Sequence, residues 1–435
     1  MNDHLHQPTT MTRRQLLAAL GITATGAALG PGLLTPASAA AKRKAKPTPT
    51  KPTKLARTGP VPLAAPTGAS NVGSRVLVVL ELQGGNDGFS MLVPSGDGQF
   101  RKLRDRAWLN PNDLQQIDDR YSIAKGLAPL AGVLGFVEGI GVAKPDLSHF
   151  EMLSRWWRGD PDNTGKPQTG FLGRCCDLAA PDAAIAGVSV GGGATPTLIS
   201  ARSSTVSLPD LGLLRDLTKD DDERVRTGLA ALADGSNDVA GLGAVDADLI
   251  ARARTGMNSG LALLDRLSGI DGKAEGYPKN NIGSSLALIR ELISIEAGIR
   301  VFHVPWGSFD THTGQQWSHP DQMRQLGQAL VGFHNDLAHH GLSNRVLLAT
   351  TSEFGRRPEA NAGGTDHGTA STALMMGPIR AGRHGAPPNF GQLDHTGNVT
   401  ATTSMADYYA TLASWVGVPP DEAIANGQPL VSLGL

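Results

Sequence analysis

The sequence VLLATTSEFGRRPEANAGGTDHG, residues Val346–Gly368, carries the most information about the architecture and chemistry of the chain. It begins with the apolar run Val346–Ala349, which has the length and composition of a strand buried in a parallel sheet. Polar residues follow abruptly, including Glu353 and, after a glycine-rich link, Asp366 and His367. In open α/β sheets, ligands bind outside the carboxyl ends of the strands, where these side chains can form a metal site or an acid/base site. The alternative is a solvated loop whose charges cap helices.

Length and charge limit the classes of protein that the chain can represent. Its 435 residues suffice for one large α/β domain or two smaller ones, and abundant glycine with few aromatic residues favours a loop-rich, enzyme-like fold. The formal net charge is −1, but residues 1–70 hold nine Lys/Arg and one acidic residue, Asp3. The remainder therefore has 30 basic and 39 acidic residues, a net charge of −9. Because this remainder lacks the basic footprint of a nucleic-acid-binding protein, no nucleic-acid partner is expected.

The first 39 residues have the pattern of an export signal. Thr12–Leu17, TRRQLL, resembles the twin-arginine motif, and Ala37–Ala39 forms an A-x-A cleavage pattern after a weakly hydrophobic stretch. A transmembrane anchor requires about 20 strongly apolar residues, whereas four glycines and a proline interrupt residues 21–32. We therefore expect a twin-arginine signal peptide at 1–39, the twin-arginine export machinery as a partner, and no stable membrane span. The mature protein is expected to be secreted, periplasmic or associated with the cell wall, and this pathway carries proteins that have already folded.

Residues 40–73 are predicted to be a Pro/Lys-rich linker. Residues 41–70 contain six prolines, seven basic residues and no acidic residue, a composition that stays extended and cannot form a core. The folded domain is predicted to span 74–435.

The two cysteines, Cys175 and Cys176, are adjacent in the sequence. An exported chain with so few cysteines is not built on disulfides, and one adjacent pair offers too few ligands for a structural zinc site. We expect both to be buried free thiols.

Two further predicted strands end in polar loops of the same kind. Arg75–Leu80 leads to a loop with two adjacent glycines and Asp87, which allows close approach of the backbone to a ligand or ion, although Asn, Asp and Gly are also common in tight turns. Arg300–Pro305 leads to Asp310 and His312, an Asp-x-His pair that can present a carboxylate and an imidazole to one cation. Each motif is weak by itself.

Ser148 lies where a predicted strand, Val137–Val142, gives way to a helix. With Glu151 it fits a capping box. A serine at this position also lies where the helix dipole stabilises an anion or an ionised nucleophile. The neighbouring His149 is a second candidate for the site, and both interpretations stay open from the residues alone.

The remaining segments predict alternating helices and strands. A helical layer or insertion is expected over about 205–297. The other predicted elements are helices at Leu127–Val137, Ser284–Ala297, Pro320–His340 and Thr403–Gly417, strands at Ile185–Val190 and Ala373–Met376, and a loop at Gly377–Asn398.

Taken together and in this order, the motifs resemble one family across nearly the whole mature chain. They are the twin-arginine start, LELQGGNDG, KPDLSHFEM with RWW, TGFLGR at 169–174, GSFDTH, TSEFGRR, GGTDHG and the closing SMADYYATLASWVG. The chain thus resembles the DUF1501 family of exported bacterial proteins, which is grouped with the alkaline phosphatase/sulfatase superfamily.

The resemblance implies a doubly wound, mostly parallel sheet flanked by helices, with a metal site at the carboxyl edge of the strands. It also implies two divalent cations and a serine, threonine or modified cysteine as nucleophile. Carried over by position, it implies Ser148 as the nucleophile and Asp87, Asp310, His312, Glu353 and His367 as metal ligands. One departure is Phe354, which stands where the superfamily has a metal-binding histidine. Compensation by Asp366, a mononuclear site and a site that has lost its function are all compatible with this change.

The leading hypothesis is an exported metal-dependent hydrolase of a phosphate, sulfate or related anionic ester. The cofactor would be one or two divalent ions of zinc, manganese or calcium, and the substrate an anionic small molecule or cell-envelope component. Arg356 is expected to bind the oxyanion of the substrate, because its planar guanidinium matches phosphate or sulfate. The alternative is a non-catalytic exported binding protein with a residual metal site, and a third possibility is a transferase that uses a sugar as acceptor.

Overall fold

The computed structural model describes residues 74–104, 110–208, Arg254 and 274–435. The predicted signal peptide at 1–39, the predicted linker at 40–73 and most of the predicted insertion at 205–297 lie outside the described residues.

The described part of the chain alternates strands and helices. Its strands are β1 (Val76–Leu82), β2 (Leu92–Val93), β3 (Leu114–Gln116), β4 (Ser122–Ala124), β5 (Leu134–Gly141), β6 (Gly187–Val190), β7 (Thr205–Leu208), β8 (Val301–Trp306), β9 (Val346–Thr351), β10 (Gly355–Ala360), β11 (Thr365–Gly368), β12 (Ala370–Met376), β13 (Gly382–Gly385) and β14 (Thr403–Ser404). Its α-helices are α1 (Gly88–Met91), α2 (Gly98–Leu103), α3 (His149–Arg158), α4 (Phe171–Ala179), α5 (Asn281–Ser294), α6 (Gln315–His339), α7 (Met405–Trp415) and α8 (Pro420–Ala423), with short 3₁₀ segments including Lys125–Leu130.

Nine strands form one large sheet in the order β13-β5-β12-β9-β1-β8-β6-β7, with β14 also paired to β5. The strand β12 is antiparallel to both of its neighbours, β5 and β9. The other pairs in this sheet are parallel. The predicted fold class, a mostly parallel α/β sheet flanked by helices, is confirmed.

The central strand β1 is buried on both faces, as its unbroken apolar sequence predicts. Side chains alternate along a strand, so Val78 and Leu80 pack on one side with residues of α5 and α6. Leu77 and Val79 pack on the other side with residues of α3, α4 and α7. The sheet is therefore doubly wound, and the carboxyl ends of β1, β8 and β9 meet at one edge.

Two local predictions are wrong. The predicted helix at Leu127–Val137 is a short 3₁₀ segment that ends at Leu130, after which β5 begins at Leu134. Pro129 lies inside that segment and lacks the N–H that a longer helix would need. The predicted loop after β9 is in fact an antiparallel hairpin, β10 and β11, with the glycine-rich link as its turn.

Helices α5, α6 and α7 confirm the predicted helical periodicity to within a few residues at most ends, and α6 begins five residues earlier than predicted. Cys175 and Cys176 are buried free thiols, as predicted. Among the described residues, no helix has the length and hydrophobicity needed to cross a membrane.

Candidate metal centre

Three segments converge at the carboxyl edge of the sheet. The loop after β8 carries Asp310 and His312, the hairpin strand β11 carries His367, and the helix α3 begins at His149. His149, Asp310 and His367 each place one potential ligand atom within 4.8 Å of the others. Asp310 and His312 are nearly half exposed, so the cluster is open to solvent.

Glycine makes the close approach of two of these loops possible. A Cβ atom on Gly84 would lie 2.4 Å from the backbone nitrogen of Asp310, and the φ angle of Gly84 is +107°. Both conditions exclude other residues without local rearrangement. The sequence pattern after β1 therefore serves to bring the loop after β8 into position.

The carboxylate of Asp310 is surrounded by imidazole nitrogens. Its Oδ1 atom lies 3.1 Å from Nε2 of His312 and 3.2 Å from Nε2 of His367, and its Oδ2 atom lies 3.5 Å from Nε2 of His149. The Nε2 atoms of His312 and His367 are 2.9 Å apart. Three imidazoles thus present the same ring nitrogen to one carboxylate.

The other ring nitrogen of each imidazole is held by an acceptor. Nδ1 of His149 lies 2.9 Å from the carboxylate of Glu353, and Nδ1 of His367 lies 2.7 Å from the carbonyl oxygen of Leu147. Nδ1 of His312 lies 3.2 Å from Asp366. Because a carbonyl oxygen only accepts, Nδ1 of His367 carries a proton, and its Nε2 lone pair points to the cluster when the ring is neutral. Metal-binding histidines show this arrangement, with the second ring nitrogen donating to a carboxylate or carbonyl.

The donor set fits a divalent cation. Four ligands on a tetrahedral zinc ion at about 2.0–2.1 Å lie roughly 3.3 Å from one another, which is close to the 3.1–3.5 Å separations around Asp310. Neutral His312 and His367 with protonated Nδ1 atoms would also place two lone pairs 2.9 Å apart, an arrangement that a proton or a cation between them relieves. His149, Asp310, His312 and His367 are the residues that would hold the metal.

Electrostatics at the cluster favour an ionised Asp310. Burial alone would raise the pKa of Asp310, but hydrogen bonds from Arg356 and His367 and the charge of Arg356 lower it to about 2. The hydrogen bond to Glu353 raises the pKa of His149, whereas desolvation lowers the pKa of His367. A permanent carboxylate beside imidazoles suits the binding of a cation.

Two predicted ligands lie one step behind the cluster. Glu353 is fully buried and accepts hydrogen bonds from His149 and from the backbone nitrogen of Gly84 at 2.8 Å. Asp366 faces Nδ1 of His312 rather than the convergent Nε2 atoms. In this geometry both carboxylates orient an imidazole.

The predicted ligand Asp87 lies in a separate buried network. Its Oδ2 atom accepts from Arg104 at 2.6 Å, from Ser90 at 2.7 Å and from Gln315 at 2.5 Å. Its Oδ1 atom accepts from the backbone nitrogen of Phe89, which caps α1. With both oxygens occupied by protein donors, Asp87 serves the structure of the loop after β1, and the predicted role as a ligand does not fit this position.

The predicted role of Arg356 as a donor to substrate also requires correction. Its guanidinium is completely buried and donates to the carbonyl oxygens of Gly84, Gly85, Phe309 and Thr365. It also lies 2.9 Å from Oδ1 of Asp310. These contacts use the guanidinium to join the two loops and to orient Asp310, so it is not available to a substrate.

Ser148 immediately precedes α3 and is exposed. The expected capping box is wrong, because Ser148 makes no side-chain cap and Glu151 pairs with Arg155 at 3.1 Å instead. Among the described residues, the Ser148 hydroxyl has no hydrogen-bond partner. The first turn of α3 therefore presents an uncommitted hydroxyl next to His149.

His149 is the site residue that the sequence interpretation underestimates. Its ring centroid lies 4.9 Å from that of Phe354 and 4.6 Å from that of His367. The imidazole that Phe354 does not provide after β9 is thus supplied by α3. The only signal for it in the sequence is its position beside Ser148 at the start of a helix.

The fold and the metal-binding geometry define an α/β protein with a candidate His/Asp metal centre at the carboxyl edge of its sheet. Residues 244–429 match the model of a family described as "Protein of unknown function (DUF1501)", which confirms the predicted family resemblance over that part of the chain. The sequence matches none of the curated proteins with which it was compared.

The chain is also similar to solved structures at low identity. The PsFucS1 sulfatase from Pseudoalteromonas sp. is 12% identical, with a TM-score of 0.35, over 81% of this chain and 70% of that chain. A protein in the alkaline phosphatase superfamily from Vibrio parahaemolyticus is 12% identical, with a TM-score of 0.35, over 79% and 67%. The phosphonate monoester hydrolase of Agrobacterium radiobacter is 12% identical, with a TM-score of 0.34, over 82% and 77%. Likeness of this degree concerns the fold and not activity or substrate.

Proposed function

We propose that the protein is an exported metal-dependent hydrolase of a phosphate, sulfate or related anionic ester. The observation that carries the proposal is the convergence of three anchored imidazoles on Asp310 beside the unpaired hydroxyl of Ser148. A divalent cation held by these residues supplies Lewis-acid polarisation of an ester oxygen. Zinc suits the nitrogen-rich set best, and manganese is compatible with it.

Ser148 is the proposed nucleophile or the group that orients an attacking water. It lies at the start of a ten-residue helix whose first turn carries no side-chain cap. The free backbone N–H groups of such a turn favour an anion, through hydrogen bonds and the helix dipole. A negatively charged ester group placed there would be within reach of both the hydroxyl and the imidazole cluster.

Arg357 replaces Arg356 as the proposed cation for the anionic group of the substrate. Its side chain is about one-third exposed, and its Nη1 atom lies 3.7 Å from Oδ2 of Asp366. Its Nε atom is buried and has no partner in the described residues. A guanidinium with unused donors next to the cluster can bind phosphate or sulfate.

The experiment is a paired measurement of metal content and ester hydrolysis on protein purified without chelator. Asp310→Ala is expected to lose both the metal and the activity, whereas Ser148→Ala is expected to keep the metal and lose activity. Asp421→Ala, which changes an exposed aspartate in α8, is the matched control and is expected to change neither. Metal-free wild-type protein, or full hydrolysis of every substrate by Ser148→Ala and Asp310→Ala, would refute the proposal.

A non-catalytic exported binding protein is the second candidate function. It is favoured by Arg356, which the fold has committed to four carbonyl oxygens. In that case the wild-type protein binds the metal and an anionic ligand but hydrolyses neither phosphate nor sulfate esters. The same paired measurement separates the two candidates.

A further inference from the structure

An open cleft lies beside the candidate metal centre, at the same edge of the sheet. It encloses about 450 Å³ of space, within the range of about 300–1,000 Å³ that small-molecule pockets occupy. The function proposed above does not use this cleft.

Strand geometry opens the cleft. The strand β12 pairs with β9 only through Met375 and Met376, and a register irregularity falls between Ser371 and Ala373 where β12 pairs with β5. Beyond these pairs the amino-terminal half of β12 diverges from the carboxyl end of β9, and the Thr350 hydroxyl accepts the backbone hydrogen bond of Leu374. The gap between the two strands forms the floor of the cleft.

Helix α3 covers the cleft. Met152 and Trp156 line it, and because they are four residues apart on a helix they lie on the same face. Both are buried. The helix that begins with His149 therefore contributes one residue to the metal cluster and two residues to the cleft wall.

Phe354 separates the cleft from the metal cluster. Its ring lines the cleft, and its centroid lies 4.2 Å from the ring centroid of His367 and 4.9 Å from that of His149. A group in the cleft would thus be about one aromatic ring away from the imidazoles. This is the separation expected between the alcohol part of an ester and the site of attack on its anionic part.

The lining of the cleft selects an uncharged group. Its walls are mainly apolar, and the polar residues that the structure places there are mostly hydroxyl-bearing. None of the described lining residues is a lysine or an arginine. The single charged side chain, Glu353, is already engaged by His149 and Gly84. A second anionic group on the alcohol would be desolvated there without a partner, which is costly.

We infer that this cleft binds the alcohol part of the substrate, and that this part is a neutral ring, aromatic or compact and apolar. The inference rests on the proposed function for the word substrate, but the cleft binds such a ring whether or not hydrolysis follows. It predicts esters of neutral ring alcohols as the substrate class and disfavours highly charged polymers.

Binding of phenol and benzoate to the full-length protein tests the inference without requiring activity. The two probes have similar size and differ in charge, and ligand-observed NMR or calorimetry measures their affinities. Wild-type protein is expected to bind phenol at least ten-fold more tightly than benzoate. Ala373→Leu, which fills the cleft, is expected to weaken phenol binding at least ten-fold. Ala425→Leu, the same change at an exposed alanine outside the cleft, is expected to have no effect.

A second variant guards against failure of Ala373→Leu to fold. Met152→Ala enlarges the cleft and is expected to bind 2-naphthol more tightly than wild-type protein does. Equal affinity for phenol and benzoate, or no effect of either cleft variant on binding, would overturn the inference. Phenol binding with the expected variant effects but without hydrolysis of any ester would support the cleft and refute the proposed function. Ester hydrolysis with equal KM for phenyl and 4-carboxyphenyl phosphates, and no binding of phenol, would refute the cleft alone.

Discussion

Glu353 is a carboxylate that acts on the candidate metal centre through a neighbour. It accepts the hydrogen bond from Nδ1 of His149 and so leaves Nε2 facing Asp310. Its own oxygens are buried and point away from the convergent nitrogens. A residue in this position fixes the tautomer and the orientation of the imidazole.

Replacing Glu353 by glutamine tests this role. Glu353→Gln keeps the size of the side chain but removes its charge, so the affinity for zinc is expected to fall about 10- to 100-fold, as measured by competition with a chelator of known affinity. Glu359→Gln changes an exposed glutamate of the neighbouring hairpin strand and serves as the control. An unchanged zinc affinity in Glu353→Gln would contradict the positioning role.

Asp87 is expected to contribute to stability rather than to metal binding. Burial alone would raise the pKa of Asp87, but Arg104, His319 and Ser90 together hold it below its ordinary value of 3.8. A carboxylate whose pKa is lower in the folded state stabilises the protein above the pKa of the unfolded state, and this contribution is lost as the pH falls through the folded pKa.

Asp87→Asn should therefore lower the free energy of unfolding at pH 7 by about 3–5 kcal/mol, because it leaves Arg104 buried without its partner. The difference from wild-type protein should shrink below about pH 4, where Asp87 of the wild type becomes protonated. Urea unfolding at pH 7 and pH 3 measures both, with the exposed-site variant Asp119→Asn as control. A difference that is independent of pH would contradict the assigned ion pair.

At the scale of single residues, the sequence identifies chemistry but not partners. Asp310, His312 and His367 are predictable because an Asp-x-His and an Asp-His pair after apolar strands are unusual. The burial of Arg356 is not predictable, since its acceptors at Gly84 and Gly85 lie more than 270 residues away. Local sequence cannot say whether a distant backbone will occupy a guanidinium.

Helix α3 is the element that joins the candidate centre to the core. Nε1 of Trp157 donates to Oε2 of Glu81 in β1 at 2.7 Å, while Glu81 also lies 3.2 Å from Nε2 of His303 in β8. The helix is thereby fastened to the two central strands at the edge where its first residue, His149, enters the cluster.

Trp157→Phe is expected to weaken this attachment while keeping most of the ring. The free energy of unfolding should fall by about 1–3 kcal/mol, because a buried carboxylate loses one donor. Denaturant unfolding is the measurement, and Trp317→Phe is the matched control because Trp317 is 80% exposed. The control should stay within about 0.5 kcal/mol of the wild type. Equal effects of the two substitutions would show that the hydrogen bond to Glu81 does not fasten the helix.

At the scale of elements, apolar runs and helical periodicity predict the sheet and its layers well. The strands β1, β8 and β9 follow directly from unbroken apolar sequences. The hairpin β10–β11 is harder to predict, because its residues are polar and its stability comes from Arg356 and the packing around it. The antiparallel direction of β12 is likewise set by its pairing with β5, a strand 230 residues earlier.

At the scale of the whole molecule, the candidate centre exists only after the fold is complete. His149, Asp310 and His367 come from three segments separated by 57 to 161 residues, and Glu353 and Gly84 support them from two more strands. No short segment of the chain holds enough ligands to bind a cation by itself. A metal is therefore best loaded into folded protein, before or after export.

The twin-arginine pattern at the start of the chain agrees with that requirement, since this pathway carries proteins that have already folded. Replacing Arg13 and Arg14 together by lysine keeps the charge of the segment but removes the motif, so the protein should accumulate inside the cell with its signal uncleaved. Immunoblots of cell, periplasmic and medium fractions measure this, and Arg43→Lys in the predicted linker is the control. Because folding does not depend on the signal in this account, the retained double variant should bind as much zinc as the exported protein. Export of the double variant at the wild-type level would refute the twin-arginine assignment, and retained protein that is folded but cannot bind zinc would show that the metal site requires the exported environment.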